Sequence, residues 1–337
     1  LKKFLFDRRK TMIIITGAAG FIGSCLVHHL NSLGIRNLLL VDSFEKDSKK
    51  WKNLLGAKFE DLYSIEDFFS LVVQESYDDF FKNCTHLIHL GAISSTTETD
   101  GNKILKYNFS YSKELFKFAI RCNLPFIYAS SAATYGALEE NLSDSHGQIP
   151  LCRPLNLYGF SKQLFDEWVL NQTIHPPLWF GLKFFNVFGF REFHKGEMRS
   201  MALKAFEQFR NTGTVKLFKS YKEGILDGHQ ARDFIYVKDI CKAIEALMRC
   251  KHSEKQGIYN LGSGRSETFL SLIEFVAKSL KISSKVEFIP MPEEIKHQYQ
   301  YRTCAEMSKW KKNFPQVSFT PLEAAVEEYV QELLCAW

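Results

Sequence analysis

The sequence predicts an α/β fold, a doubly wound parallel sheet with a smaller mixed C-terminal lobe. Three features point to it. Apolar runs of strand length alternate with helical patterns from Met12 onward. These runs are continuously apolar, as strands buried on both faces require. The first strand-to-helix junction is a glycine-rich turn, GAAGFIG. Together they give the βαβ rhythm that places helices on both faces of one sheet.

MIIIT (12–16) reads as the first strand, and FIGSCLVHHLNSLG as a helix with Gly34 just past its end. Further strands are expected at 37–42, 57–62, 86–92, 125–131 and, as one run, GLKFFNVFG at 181–189. Helical patterns at 65–75, 103–121 and 157–172 separate them. Beyond Gly189 the pattern loosens. It holds a helix over 197–211, a short strand at 215–218, the polar insertion KSYKEGILDGHQ, and a strand–helix unit with Asp239 as its expected N-cap. A strand at 257–262 and the strand-like KVEFIP follow. The expected organisation is a nucleotide-binding domain over 12–185 plus about 233–262, and a substrate-binding lobe over 186–232 plus 263–337. Residues 1–11 read as an N-terminal extension without assigned function.

The chain has 337 residues, 45% hydrophobic and 24% charged, an ordinary globular balance. A net charge of +5 without a long basic tract argues against nucleic acid as a partner. The eight cysteines are scattered, with no CxxC, which argues against zinc and against a disulfide framework. The start, LKKFLFDRRK, lacks a signal-peptide core, and no run reaches the roughly 18 apolar residues of a membrane span. A cytoplasmic protein with no membrane partner and no metal is the expectation.

Gly17, Gly20 and Gly23 form G-x-x-G-x-x-G between a strand and a helix. There, glycine permits a tight turn and close approach of backbone to a pyrophosphate, whose charge the helix N-terminus favours. A Rossmann-like dinucleotide site is therefore expected. Asp42, 19 residues after Gly23, predicts a bond to a free ribose hydroxyl and hence NAD. Lys49, Lys50 and Lys52 suit a 2′-phosphate and hence NADP, and composition does not choose between the two.

Tyr158 and Lys162, four apart, share one face of a helix. An ammonium near a phenol favours the phenolate, which can then remove a hydroxyl proton. Ser131, 27 residues upstream at a strand end, and Asn108 complete a candidate set. Ala132 and Ala133 follow Ser131, so no carboxylate stands directly after it. Cys152 reads as a core filler. A second candidate, Lys195, lies in FNVFGFREFHKGEMRS (185–200). Read alone this stretch is a charged loop after a buried strand.

The joint pattern of Asn108, Ser131, Tyr158 and Lys162 behind the glycine turn resembles the short-chain dehydrogenase/reductase superfamily. RDFIYVKD and YNLGSG are similar to its extended branch, which acts on nucleotide sugars. SSTTETDG (94–101), YASSAATYG (128–136) and FNVFGFREFHKGEMRSM (185–201) resemble the ADP-L-glycero-D-manno-heptose 6-epimerase family, from Met12 almost to the C-terminus. The resemblance implies an isomerase that inverts carbon 6 of ADP-D-glycero-D-manno-heptose through a 6-keto intermediate, with tightly bound NADP, for the lipopolysaccharide inner core. It implies a homo-oligomer, a pentamer in that family, and two bases falling on Tyr158 and Lys195.

By the same resemblance, the cofactor positions are Gly17, Gly20, Phe21, Ile22, Gly23, Asp42, Ser43, Lys50, Leu90, Gly91, Ala92, Ile93, Ser94, Asn108, Lys162 and Val187. The substrate positions are Ser94, Asn186, Lys195, Glu197, Phe218, Arg232 and Tyr299. The chain departs from the family pattern at several points. Leu90 and Ile93 replace a Glu and a Cys, Thr99 a Trp, Ile65 a cofactor lysine and Glu197 a Ser, and the 219–230 insertion is longer. Two alternatives stay open: another nucleotide-sugar epimerase or reductase, such as a UDP-hexose 4-epimerase, and a non-catalytic NAD(P)-binding scaffold. Lys195 as binder rather than base also stays open.

Overall fold

The computed structural model describes residues 12–44, 48–75, 80–296 and 299–336. The N-terminal extension, 1–11, lies outside them. In chain order the elements are β1 (Met12–Thr16), α1 (Phe21–Ser32), β2 (Leu38–Val41), β3 (Asp61–Tyr63), α2 (Ile65–Val73), β4 (Cys84–His89), α3 (Gly101–Ile104), α4 (Tyr111–Arg121), β5 (Phe126–Ser131), α5 (Leu157–Leu170) and β6 (Trp179–Phe184). There follow β7 (Asn186–Phe188), α6 (Met201–Thr212), β8 (Val215–Phe218), β9 (Ala231–Arg232), β10 (Phe234–Tyr236), α7 (Val237–Met248), β11 (Gly257–Leu261), β12 (Glu267–Thr268), α8 (Phe269–Leu280), β13 (Val286–Ile289), α9 (Glu293–Lys296), α10 (Ser308–Asn313) and α11 (Leu322–Ala336).

The central sheet runs β3-β2-β1-β4-β5-β6-β11, parallel throughout. The pleat sorts its apolar residues. Ile13 and Ile15 pack with Leu26, Leu30 and Ile244 from α1 and α7. Ile14 faces the other way, toward Phe68, Phe116 and Phe165 from α2, α4 and α5. Both faces are therefore apolar, which is why the strands read as unbroken hydrophobic runs. Strand order reverses between β1 and β4, the place where open α/β sheets bind ligands at their carboxyl ends. The C-terminal lobe packs α6, α8 and α11 around the parallel β8–β13 pair, with Phe206, Leu272, Tyr329 and Leu333 fully buried.

Four sequence expectations shift. The run 181–189 is two strands. Phe185 N–H donates to Leu261 (3.1 Å) and Asn186 N–H to Asp233 (3.0 Å), so the chain leaves the central sheet and β7 pairs with β10 instead. The third strand starts at Asp61 rather than 57. Asp239 does not cap α7. It lies in the first turn, and its carboxylate accepts from the N–H (2.6 Å) and hydroxyl (3.0 Å) of Thr320. The helix expected over 197–211 starts at Met201, where Ser200 Oγ accepts from Leu203 N–H (3.2 Å). Residues 193–198 form a 3-10 turn ahead of it. Among the described residues no helix is long and apolar enough to cross a membrane, and no cluster of three metal-ligating side chains occurs.

Candidate active site

At the carboxyl end of β1 the backbone turns through Gly17, whose φ of +70° strains any side chain. A Cβ there would lie 2.5 Å from Gly91 N, and one at Gly23 would lie 2.0 Å from the Gly17 carbonyl oxygen. The turn thus packs backbone against backbone, including the 90–94 loop after β4. Thr16 reinforces this: its carbonyl accepts from Leu90 N–H (3.1 Å) and its hydroxyl from Gly91 N–H (3.4 Å). α1 starts with no side-chain cap at Gly20 and no acidic residue in its first turn. No side chain of α1 itself neutralises the positive end of that helix, and the cradle fits a dinucleotide pyrophosphate. Phe21 and Ile22 open α1. Asp42, almost fully buried past the end of β2, accepts from Ala19 N–H (2.6 Å), Ser43 N–H (2.7 Å) and the Lys50 ammonium (2.5 Å).

Gly91 leads by direct contacts to the catalytic candidates. Ile93 N–H donates to Asn108 Oδ1 (2.8 Å), and Asn108 Nδ2 donates to Ile93 O (2.9 Å) and Ser161 Oγ (3.0 Å). Ser161 Oγ then donates to the Tyr158 carbonyl (2.7 Å). Asn108 sits in a π-helical turn, Leu105–Ser110, between α3 and α4. Such turns redirect a side chain out of helical register and recur at functional sites. Asn156 caps α5 by accepting from Gly159 N–H (2.8 Å), fixing the first turn that carries Tyr158.

Burial raises the Tyr158 phenol above its ordinary value, while a hydrogen bond with Ser131 pulls it down. Burial also lowers Lys162, to about 8, with Asp166 opposing. The expected lowering of Tyr158 joins the Lys162 ammonium to a positive nicotinamide ring, and the protein alone supplies only the ammonium. The ammonium donates to the Ala129 carbonyl (2.8 Å), and desolvation dominates both groups.

Lys195 stands on the turn after β7. Its ammonium lies 5.4 Å from the centroid of the Phe21 ring. It forms no carboxylate salt bridge among the described residues, and burial lowers it below the usual lysine value, with Glu192 opposing. Glu192, fully buried, anchors the turn: it accepts from Gly189 N–H (3.2 Å), Ser200 Oγ (2.7 Å) and Tyr329 OH (3.0 Å). Thr96 of the SSTT segment donates to Met198 Sδ (3.9 Å), so that loop meets the Lys195 turn.

The remaining candidates spread outward. Asn186 and Val187 form β7. Phe218 ends β8, where its carbonyl accepts from Gln230 (3.2 Å). Arg232 is nearly buried, its guanidinium 5.0 Å from the Tyr299 ring and 5.5 Å from that of Phe269. Ser94 is exposed beyond Ala92. Glu197 faces away: its side chain is 93% exposed and bridges Lys204 (3.2 Å).

Sequence reading missed a second layer. Lys183 and Asp166, both fully buried, pair at 2.8 Å behind the catalytic set. Asp166 also accepts from Tyr128 OH (3.0 Å) and Ser130 Oγ (2.6 Å), and Lys183 donates to Thr134 Oγ1 (2.6 Å). The visible signal was a lysine inside an apolar strand and an acid one turn after Lys162. His89 joins Thr16 (2.6 Å) to Ser112 (2.8 Å), and burial, with Lys162 adding to it, lowers this imidazole to about 3.

A glycine cradle that fits a dinucleotide pyrophosphate is joined through Asn108 and Ser161 to the turn that carries Tyr158. It defines a class, the nicotinamide-dependent epimerases and dehydratases. The chain belongs to the NAD dependent epimerase/dehydratase family, whose profile matches residues 13–262, and its cofactor is a nicotinamide dinucleotide. It is 41% identical to the ADP-L-glycero-D-manno-heptose-6-epimerase of Fusobacterium nucleatum, over 96% of this chain and 98% of that one. It is 38% identical to the enzyme of the same name from Nitratidesulfovibrio vulgaris, over 96% and 98%. The crystal structure of the Helicobacter pylori ADP-L-glycero-D-manno-heptose-6-epimerase superposes with a TM-score of 0.80 at 26% identity, covering 99% of both chains.

Proposed function

We propose that the protein inverts carbon 6 of ADP-D-glycero-D-manno-heptose through a transient 6-ketone, supplying lipopolysaccharide inner-core synthesis. The names of the relatives at 38–41% identity support the substrate. The observation that carries the mechanism is the presence of two proton-bearing groups on different elements around one cofactor turn. Tyr158 is linked to that turn through Ser161, Asn108 and the 90–94 loop, and Lys195 through Phe21.

A nicotinamide dinucleotide held over the glycine turn would supply the hydride acceptor and donor for carbon 6. Tyr158, with Ser131 bonded to the same reacting oxygen, takes the hydroxyl proton on one side. Inversion requires hydride return to the opposite face, so the carbonyl oxygen presents itself in the opposite orientation. A fixed tyrosine serves one orientation poorly, and Lys195 serves the other. Burial shifts its ammonium toward easier proton release, the direction a proton carrier needs. Lys162 would contact the bound cofactor, and Arg232 suits the substrate diphosphate bidentately.

NADP is the proposed cofactor. The Lys50 ammonium on Asp42 offsets the carboxylate that would repel a 2′-phosphate. A homo-oligomer, pentameric by resemblance, is the proposed assembly. The test is incubation with ADP-D-glycero-D-manno-heptose in deuterated water, following carbon 6 by NMR. Inversion without deuterium at that carbon, and without net cofactor consumption, is expected. Absence of inversion refutes the reading, and deuterium at carbon 6 points instead to deprotonation at carbon.

A further inference from the structure

We infer that Asn53 is a positioning residue that holds the Lys195 turn in register with the cofactor turn. The inference rests on the reading of Lys195 as the second proton carrier.

Asn53 is buried in a single 3-10 turn, Lys50–Leu54, which also carries Lys50. Its Nδ2 lies within hydrogen-bond distance of three groups distant in sequence: the Ala19 carbonyl in the glycine turn (3.0 Å), the Arg191 carbonyl (3.1 Å) and His194 Nδ1 (3.0 Å). Its own carbonyl accepts from Arg191 Nη1 (2.6 Å) and meets His28 Nε2 at 3.0 Å. One side chain therefore touches the cradle directly and the residue immediately before Lys195. Lys50, three residues earlier, is tied to Asp42 and through it to Ala19 N–H.

Two details make this more than local bracing. Arg191 has a φ of +77°, a left-handed conformation that a non-glycine residue keeps only where its surroundings over-determine it. Asn53 bonds Arg191 in both directions, so it supplies much of that constraint. His194 is held neutral, with burial, then Lys50 and Lys195, pushing its imidazole down to about 4. With its proton on Nε2, the neutral ring accepts from the Asn53 amide through Nδ1. Without Asn53 nothing equivalent joins Ala19 to the 191–194 backbone among the described contacts, and Lys195 loses its fixed reach past Phe21.

The test is a double-mutant cycle on the full chain at saturating NADP, using Asn53→Ala, Lys195→Ala and the pair. Folding is checked by circular dichroism and urea midpoint. Asn53→Ala is expected to lower kcat for inversion by roughly tenfold to a hundredfold, the usual effect of displacing a reacting group by about an ångström. The Michaelis constant for the nucleotide sugar should stay within about twofold. In the Lys195→Ala background the same substitution should change kcat by less than about twofold. A full Asn53 effect in that background overturns the inference, as does an effect confined to cofactor affinity. If Lys195→Ala leaves kcat unchanged, the reading of Lys195 falls first and the inference with it. Should Asn53→Ala not fold, His194→Ala breaks the same link from the other side and enters the cycle with the same criteria.

Discussion

Replacing Asp166 by Asn removes one charge from a pair that excludes water. The Asp166 carboxylate and Lys183 ammonium stand 2.8 Å apart, both side chains 0% exposed. At an effective dielectric constant near 20 their attraction is about 6 kcal/mol. Some of the loss is recovered locally. Lys183 keeps Thr134 Oγ1 at 2.6 Å and the Tyr135 ring at 5.2 Å, and the Asn amide oxygen can still accept from Tyr128 or Ser130. The stranded buried ammonium should then cost about 3–5 kcal/mol of stability. Urea unfolding followed by tryptophan fluorescence measures it, as a lower midpoint at unchanged slope. Asp166→Asn with Lys183→Met removes both charges and should recover at least half of the loss, because well-packed apolar replacements of buried pairs are close to neutral. A single-variant loss below about 1 kcal/mol, or a double variant equal to the sum of the singles, would refute the claim that burial gives this pair its weight.

Three further outcomes follow from the site. Lys162, lowered by burial to about 8, is charged below that pH and neutral above it, so kcat should fall on the alkaline side near pH 8. Stability should move the other way. The unfolded lysine keeps its proton to about pH 10.4, so between the two values the unfolded chain binds more protons and stability rises with pH. A flat kcat profile from about pH 7 to about pH 10 would count against the role given to Lys162. Lys50→Ala should weaken NADP by about tenfold to a hundredfold, the worth of a charge-assisted bond, while leaving NAD binding equal or tighter. Calorimetry on both dinucleotides checks it, and an unchanged ratio would remove Lys50 from 2′-phosphate recognition.

The parts of this molecule that local chemistry dictates were legible in the sequence. Unbroken apolar runs mark strands buried on both faces, and the glycine spacing 17-20-23 marks a turn where added Cβ atoms would meet backbone. The four-residue spacing of Tyr158 and Lys162 sets one helical face. Each depends on residues close together in the chain, and the resemblance drawn on these stretches agrees with the family to which the chain belongs. Tertiary structure decided the rest. Only long-range pairing splits 181–189 into two strands, because partners for β6 and β7 come from β11 and β10. Only packing turns Asp239 from an expected cap into an anchor for Thr320. Only the folded chain sets Asn53 against Ala19, Arg191 and His194, contacts spanning 34, 138 and 141 residues. A hydrogen bond between distant segments leaves no period in the sequence, so the residues supporting Lys195 emerge when the segments meet in space.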